Sequence, residues 1–233
     1  MYVDPLPMKW LQEIGNRYRS AWSVRYFRIS LLVSVVLLIV AVAANTIAGL
    51  YAADRASNSV TDIILSNTPP FDVGALFIYS SLALTIFVTG LLLTFPKRIP
   101  FTLCSLALFW LIRALFVSAT HIGPYPDATP LDFQSKLLLD IYGGGEFFSG
   151  HTGVTFLLAL IFWQQKYLRY FFLLFCGFLV GVVLLGHLHY TIDVLSAFFI
   201  TYTIYQLARY FFPQEHALFL GTYDSPPELN HPA

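Results

Sequence analysis

Charged residues are scarce in this sequence. Of its 233 residues, 11% are Asp, Glu, Lys or Arg and 57% are hydrophobic, whereas soluble domains carry about 25% charged residues. This composition excludes an ordinary soluble surface and is typical of a membrane protein. The 13 basic and 13 acidic residues give a formal net charge of zero, so we expect no nucleic-acid partner. The sequence is compatible with a homo-oligomer but does not require one.

Cysteine is also rare. Cys104 and Cys176 are the two cysteines of the chain, and both lie inside apolar runs. A single pair surrounded by lipid does not make a disulfide framework, so we interpret both as small apolar packing residues.

Long apolar runs dominate the remainder of the sequence. The first begins only near Arg28 and continues to about Leu50, which is too late and too long for a cleaved signal peptide. A membrane-spanning helix needs ~20 apolar residues, and six segments fit: 29–50, 73–95, 100–121, 147–165, 168–187 and 190–212. The fourth is the weakest, because its strongly apolar part, Val154 to Trp163, is short.

The predicted fold is therefore an all-α polytopic membrane protein with six transmembrane helices. Residues 1–28 form a cytoplasmic N-terminal segment, residues 29–212 the six-span domain, and residues 213–233 a cytoplasmic tail that we expect to be disordered. Residues 1–27 fit either an amphipathic helix on the inner leaflet or a flexible basic tail, and the sequence favours neither.

Basic residues predict the orientation of the spans. Ten of the 13 lie on one side of the six-span arrangement, which by the positive-inside rule is the cytoplasmic side. They are Lys9, Arg17, Arg19, Arg25, Arg28, Lys97, Arg98, Lys166, Arg169 and Arg209. The opposite loops hold only Arg55 and Lys136. Both termini are thus predicted to be cytoplasmic, and spans four and six to start at the non-cytoplasmic face.

Two polar motifs lie at those two starts. One is Ser149-Gly150-His151-Thr152, and the other is His189-Tyr190-Thr191-Ile192-Asp193. The two histidines, His151 and His189, are 38 residues apart. On a helix, residues four apart share a face, so Asp193 can accept a hydrogen bond from His189. The other ring nitrogen is then available as a nucleophile. The alternative is a polar pair that only braces span six.

The first motif offers the groups that such a nucleophile needs. Unpaired N–H groups at a helix start bind phosphate oxygens, Gly150 permits close approach, and the Ser149 hydroxyl adds a donor. His151 can protonate the leaving alkoxide as a general acid. The alternative is that Ser149 is an N-cap and His151 an interfacial residue.

Three further residues are candidate substrate-binding groups. Arg113 lies within span three, roughly 12 Å from its outer end, and a buried guanidinium needs a partner, which can be a phosphate or a carboxylate such as Asp193. Glu146 follows a run of three glycines and can hold a cationic amine or remain an ordinary loop carboxylate. Tyr190 lies inside the second motif. We predict no metal and no cofactor, because the histidine–aspartate trio already supplies acid–base chemistry.

These motifs resemble the sphingomyelin synthase family, a branch of the type-2 phosphatidic acid phosphatase superfamily. The similarity covers roughly residues 73–205, including Arg113 and the stretch with Ala197 and Thr201. It implies six spans, His189 as nucleophile, Asp193 as its orienting group and His151 as acid and base. It also implies transfer of a phospho-headgroup from a glycerophospholipid donor to ceramide or a diacylglycerol-type acceptor.

The sequence also departs from the family patterns. The family has Cys-Gly-Asp before Ser-Gly-His, whereas this chain has Gly143 and Gly145 at the Cys and Asp positions, which leaves headgroup choice open. The phosphatases of the superfamily that the chain resembles carry the sequence patterns Lys-x6-Arg-Pro and Ser-Arg-x5-His-x3-Asp. Here Leu106 and Val183 occupy the Lys and second Arg positions. A lipid phosphate phosphatase or phospholipase C-like hydrolase is the second hypothesis, and a non-catalytic membrane protein the third.

Overall fold

The computed structural model describes residues 6–129 and 147–223. Within these residues the protein is all-helical, with eight α-helices and no strand. The helices are α1 Leu6–Trp22, α2 Arg25–Asp54, α3 Gly74–Thr94, α4 Ile99–Ala119, α5 Gly150–Ile161, α6 Lys166–Leu185, α7 Thr191–Phe211 and α8 Pro213–Leu220. Short 3₁₀ turns lie at Leu65–Asn67 and Pro96–Arg98.

The α4 helix is the centre of the bundle. It packs along α2 and also against α5, α7 and α8. The contact with α5 depends on a glycine, since a Cβ built on Gly153 would lie 2.6 Å from the Phe109 ring. The main core includes Phe109, Phe148, Leu157 and Ala197. The elements that carry the two polar motifs are thus fixed against the helix that carries Arg113.

Five helices are long and apolar enough to cross a membrane, as judged from the residues with described structure: Arg25–Asp54, Gly74–Thr94, Pro96–Ala119, Lys166–Leu185 and Thr191–Phe211. They agree with predicted spans one, two, three, five and six and are consistent with an integral membrane protein. The fourth span was predicted over 147–165, but the helix there is Gly150–Ile161, with 12 residues. Twelve residues extend about 18 Å, which is less than the ~30 Å hydrocarbon core.

Both ends of the described chain are helical. The N-terminal segment, for which helix and flexible tail were both open, forms α1, which exposes Trp10, Leu11 and Trp22. The segment from 213 onward was expected to be disordered, yet its first residues form α8, with Leu218 and Phe219 buried. The Glu215 carboxylate of α8 accepts hydrogen bonds from Tyr26 and Ser30 of α2. Residues 224–233 lie outside the described part.

Two loops cover the end of the bundle at which α5 and α7 begin. Residues 55–73 connect α2 to α3, and residues 120–129 follow α4. They are joined where the N–H and hydroxyl of Ser57 both donate to the His121 carbonyl, at 2.8 and 2.7 Å. The turn before α7 is joined to both loops, since Phe71 donates to the Leu185 carbonyl and Thr129 to the Gly186 carbonyl. These contacts fix the surroundings of the second motif.

Candidate active site

The starts of α5 and α7 lie side by side. The backbone N–H of Ser149 donates to the carbonyl of Asp193 at 3.2 Å, which joins the two helix starts directly. The ring of His151 is close enough to both His189 and Arg113 for each to act on it electrostatically. The structure therefore brings together three predicted site residues from three helices or their flanks.

His189 and Asp193 form the second part of the site. The His189 Nδ1 atom lies 3.6 Å from Asp193 Oδ2, within ion-pair distance but longer than a hydrogen bond. The same Oδ2 accepts the backbone N–H of Tyr190 at 3.0 Å. Asp193 Oδ1 is buried and has no hydrogen-bond partner among the described residues. A small rotation of the carboxylate can therefore complete the bond to His189, and catalytic hydrogen bonds often tighten only when substrate binds.

The first motif surrounds the other imidazole. His151 is partly exposed, and its ring packs against Phe77 of α3 with centroids 4.2 Å apart. Ser149 is the N-cap of α5, and its hydroxyl oxygen accepts the N–H of Thr152 at 3.4 Å. Ser149 thus has the capping role that the sequence left as an alternative, and its role as a phosphate donor stays a prediction.

Gly150 keeps the first motif close to Arg113. A Cβ at this position would lie 3.3 Å from Arg113 Nε and 3.4 Å from the ring of Trp110. The contact with Arg113 is tighter than ordinary van der Waals packing, so a side chain here would push the guanidinium aside. The absence of a side chain lets the guanidinium lie directly beneath the start of α5.

Arg113 itself is 4% exposed and is the only buried Lys or Arg among residues 6–129 and 147–223. Its Nε donates to the Phe148 carbonyl at 2.9 Å, and its Nη1 donates to Asn45 Oδ1 at 3.1 Å. Both of these partners are neutral, and they fix the orientation of the guanidinium. An oriented, buried cation beside two histidines suits an anionic substrate.

Asn45 was missed by the sequence analysis, although a signal for it exists. It is a single amide in the apolar run that forms α2, where it is 5% exposed. A polar side chain within a membrane span is costly and therefore marks a specific partner. Arg113 is that partner.

Tyr190, predicted to bind substrate, connects the two covering loops. Its hydroxyl donates to the Gly123 carbonyl at 2.8 Å and accepts the N–H of Val60 at 3.3 Å. The side chain is 1% exposed, and its ring packs edge-on against Tyr125. These contacts hold the start of α7 against both loops, and a role in substrate binding stays a prediction.

Asp62, also missed, binds the first residue of α7. Its two carboxylate oxygens accept the N–H and the hydroxyl of Thr191, both at 2.7 Å. Oδ1 also accepts the N–H groups of Ile64 and Leu65. Burial by itself would raise the pKa of Asp62, but these hydrogen bonds outweigh it and lower the pKa. No local sequence pattern links Asp62 to a helix that begins 129 residues later.

Glu146, the remaining predicted site residue, lies outside the residues that the structure describes. His187 comes two residues before His189 and is 2% exposed. Within the part of the chain that the structure describes, neither of its ring nitrogens has a hydrogen-bond partner. Its ring packs edge-on against Tyr125.

Residues 145–210 match a family model described as PAP2 superfamily C-terminal. This segment resembles the PAP2 superfamily. The PAP2 segment includes the starts of α5 and α7, with both histidines and Asp193. The match supports phosphatase or phosphotransferase chemistry on lipid phosphates and does not single out the sphingomyelin synthase-like branch. Searches of curated proteins and of solved structures found no match.

Proposed function

We propose that the protein is a membrane phosphotransferase of the sphingomyelin synthase type. It moves a phosphocholine or phosphoethanolamine type headgroup from a glycerophospholipid to ceramide or a related lipid alcohol. The observation that carries this proposal is the convergence of His151, His189 and Arg113 at the adjoining starts of α5 and α7.

The chemistry proceeds in two displacements at phosphorus. His189, with its Nδ1 proton directed at Asp193, attacks through Nε2 while protonated His151 gives its proton to the departing diacylglycerol oxygen. The phosphorus–oxygen bond breaks and a phosphohistidine forms. The acceptor alcohol then gives its proton to His151 and attacks the same phosphorus, which breaks the phosphorus–nitrogen bond and restores both histidines.

Charge supports a diester as the donor. A phosphomonoester carries about −1.5 to −2 at neutral pH, by analogy with phosphoserine, and a phosphodiester carries a single negative charge. Leu106 and Val183, at two positions that are basic in the phosphatase pattern, are apolar and pack in the hydrophobic core. A single buried arginine compensates a monoanion better than a dianion.

We also propose that the histidines act at the non-cytoplasmic face, with both termini cytoplasmic. Support comes from the ten basic residues assigned to the opposite face. The short α5 does not prevent this arrangement, because its start is joined to the start of α7 by the Ser149–Asp193 hydrogen bond.

The alternative is a lipid phosphate phosphatase or phospholipase C-like hydrolase, in which water replaces the acceptor alcohol. It shares the scaffold and every step up to the phosphohistidine. The PAP2 match is compatible with both reactions.

Reconstitution with defined lipids separates these activities. Purified protein in vesicles receives a fluorescent ceramide or diacylglycerol acceptor with phosphatidylcholine or phosphatidylethanolamine, and in a second arm phosphatidic acid. We expect a fluorescent lipid that carries the new headgroup. Free phosphate from phosphatidic acid, without any transfer product, would identify the phosphatase, and no turnover in either arm would favour a non-catalytic protein.

A further inference from the structure

A cavity lies at the end of the bundle opposite to the histidines. It has a volume of about 530 Å³ and lies between α1, the turn from Phe95 to Arg98 and the end of α8. The 15 residues from Arg98 to Arg113 correspond to about 22 Å along α4. The cavity is thus well separated from the histidines.

Its walls are rich in cations. Arg17, Lys97 and Arg98 line it, and none of the described residues that line it is a carboxylate. Arg17 has a weak partner in Glu13, 3.9 Å away and largely exposed. In the part of the chain with described structure, neither Lys97 nor Arg98 makes a salt bridge. Among the described residues, the charge that lines the cavity is therefore positive.

The two guanidinium groups are held in place by one aromatic ring. Arg17 lies 4.4 Å and Arg98 4.6 Å from the centroid of Phe95. Arg17 also donates to the Thr94 carbonyl at 3.1 Å. The two cations are near enough to repel each other, and the face of a phenyl ring attracts cations without cancelling their charge. An anion between them would relieve this repulsion.

The rest of the lining suits a ligand with an apolar part. Leu218 and Phe219 from α8 also line the cavity, and the Phe219 ring centroid lies 5.4 Å from the Arg98 guanidinium carbon. Next to the cavity, α1 exposes Trp10 and Trp22, the residue type that concentrates where hydrocarbon meets headgroups. Cations beside apolar walls match the phosphate and glycerol of a membrane lipid.

We propose that this cavity binds a phosphate-bearing anion, with Arg17 and Arg98 on the phosphate oxygens and Lys97 at the rim. The phosphate can belong to the headgroup of an anionic glycerophospholipid or to a soluble compound. In the proposed topology the cavity faces the cytoplasmic leaflet, opposite to the reaction. An anion bound in this cavity joins α1 to the α3–α4 turn and to α8 and so stabilises that end of the bundle.

Lipid binding to the full-length, delipidated protein in detergent tests the proposal. Native mass spectrometry measures the affinity for phosphatidylglycerol and for phosphatidylcholine, and thermal unfolding measures the effect of inorganic phosphate. The variants are the double variant R17Q/R98Q, Lys97→Gln, and as matched control Arg19→Gln, which alters an exposed arginine of the same helix outside the cavity. None of these assays depends on headgroup transfer.

We expect the wild type to bind phosphatidylglycerol more tightly than phosphatidylcholine. The double variant should bind phosphatidylglycerol about tenfold more weakly or worse, because it loses both charge-assisted contacts. Lys97→Gln should bind phosphatidylglycerol a few-fold more weakly than the wild type, and Arg19→Gln should bind it as tightly as the wild type does. If inorganic phosphate stabilises the wild type but not the double variant, while phosphatidylglycerol binds both equally, the ligand is a soluble phosphate compound.

Equal binding of both probes to the wild type, the double variant and Lys97→Gln would overturn the proposal. The proposal would also be overturned if Arg19→Gln lost as much affinity for phosphatidylglycerol as the double variant does. The basic surface would then attract lipid without a defined site. If the double variant does not fold, Lys97→Gln decides, since its side chain makes no aromatic contact in the described structure.

Discussion

At the scale of single residues, Gly150 sets the distance between the start of α5 and Arg113. In Gly150→Ala the new methyl group would lie 3.3 Å from Arg113 Nε, so we expect the guanidinium to move away from its position beside His151. Turnover should fall about tenfold or more, because misplaced positioning groups are costly in catalysis. Kinetics of the reconstituted enzyme measure this loss.

The matched control for that change is Gly177→Ala, where a Cβ meets nothing within 4 Å. It should leave turnover unchanged. If Gly150→Ala is as active as Gly177→Ala, the close packing of Arg113 under α5 has no part in catalysis.

Asp193 has two functions that one substitution can separate. Asp193→Asn keeps an oxygen that can accept the Tyr190 N–H, the bond seen at 3.0 Å, but it removes the negative charge beside His189. We expect turnover to fall roughly 10²–10⁴-fold, because the imidazole loses its orienting carboxylate, with little change in unfolding temperature. Near-normal turnover would leave Asp193 with only its capping function.

Individual site residues differed in how far the sequence could predict them. His151, His189 and Arg113 were recognisable because polar groups in apolar runs are costly, and the structure brings all three together. Asn45 carried the same signal and was overlooked. Asp62 had no such signal, because its bond to Thr191 depends on how a loop folds over a distant helix start.

At the scale of helices, Gly153 controls how closely α5 approaches α4. A methyl group there would lie 2.6 Å from the Phe109 ring and 3.0 Å from Thr201 Oγ1. Gly153→Ala should therefore destabilise the protein by about 1–3 kcal/mol, as overpacked cores do. Thermal unfolding in detergent measures the change.

Gly181→Ala is the matched control, since a Cβ on Gly181 of α6 meets nothing within 4 Å. It should be neutral or slightly stabilising, because alanine is the better helix former. Equal stability of the two variants would contradict the close α4–α5 contact.

The Asp62–Thr191 contact predicts a pH dependence. Because the folded protein lowers the pKa of Asp62, the carboxylate stabilises the fold above its ordinary pKa of about 3.9. That stabilisation is lost as the pH falls through the lower folded-state pKa. Asp62→Asn should cost roughly 1 kcal/mol at neutral pH, as loss of a helix cap does. The difference from wild type should vanish in acid.

Unfolding temperatures measured from neutral to acidic pH test this contact. Asp127→Asn, a change in the exposed part of the 120–129 loop, is the control and should follow the wild type at every pH. A stability difference for Asp62→Asn that persists unchanged in acid would show that charge on Asp62 does not stabilise the start of α7.

The helices themselves were largely predictable. Five apolar runs became helices of spanning length because ~20 apolar residues leave the backbone little alternative in a membrane. The fourth run was too short, and helix α5 spans only Gly150–Ile161. The α8 helix escaped prediction because eight residues that begin with a proline carry little periodic signal, and its stability comes from contacts such as Glu215 with Ser30.

At the scale of the whole molecule, the two ends of the bundle have different chemistry. One end holds the histidines beneath two joined loops, and the other holds a basic cavity beside an amphipathic helix. The sequence predicted that spans four and six start on the same side, and the adjoining starts of α5 and α7 agree with it. The cavity could not be predicted from the sequence, because Arg17 and Arg98 come together only through the tertiary packing of α1 on the 95–98 turn.

Detection of a phosphohistidine at His189 tests the proposed mechanism of headgroup transfer most sharply. Reconstituted protein is mixed with phosphatidylcholine labelled in its phosphocholine group, without acceptor, then quenched in base and digested for mass spectrometry. We predict label on the peptide that contains His189, its disappearance when the acceptor lipid is added, and no label in His189→Ala. Normal turnover by purified His189→Ala, or turnover by the wild type with label on no histidine peptide, would contradict the central claim.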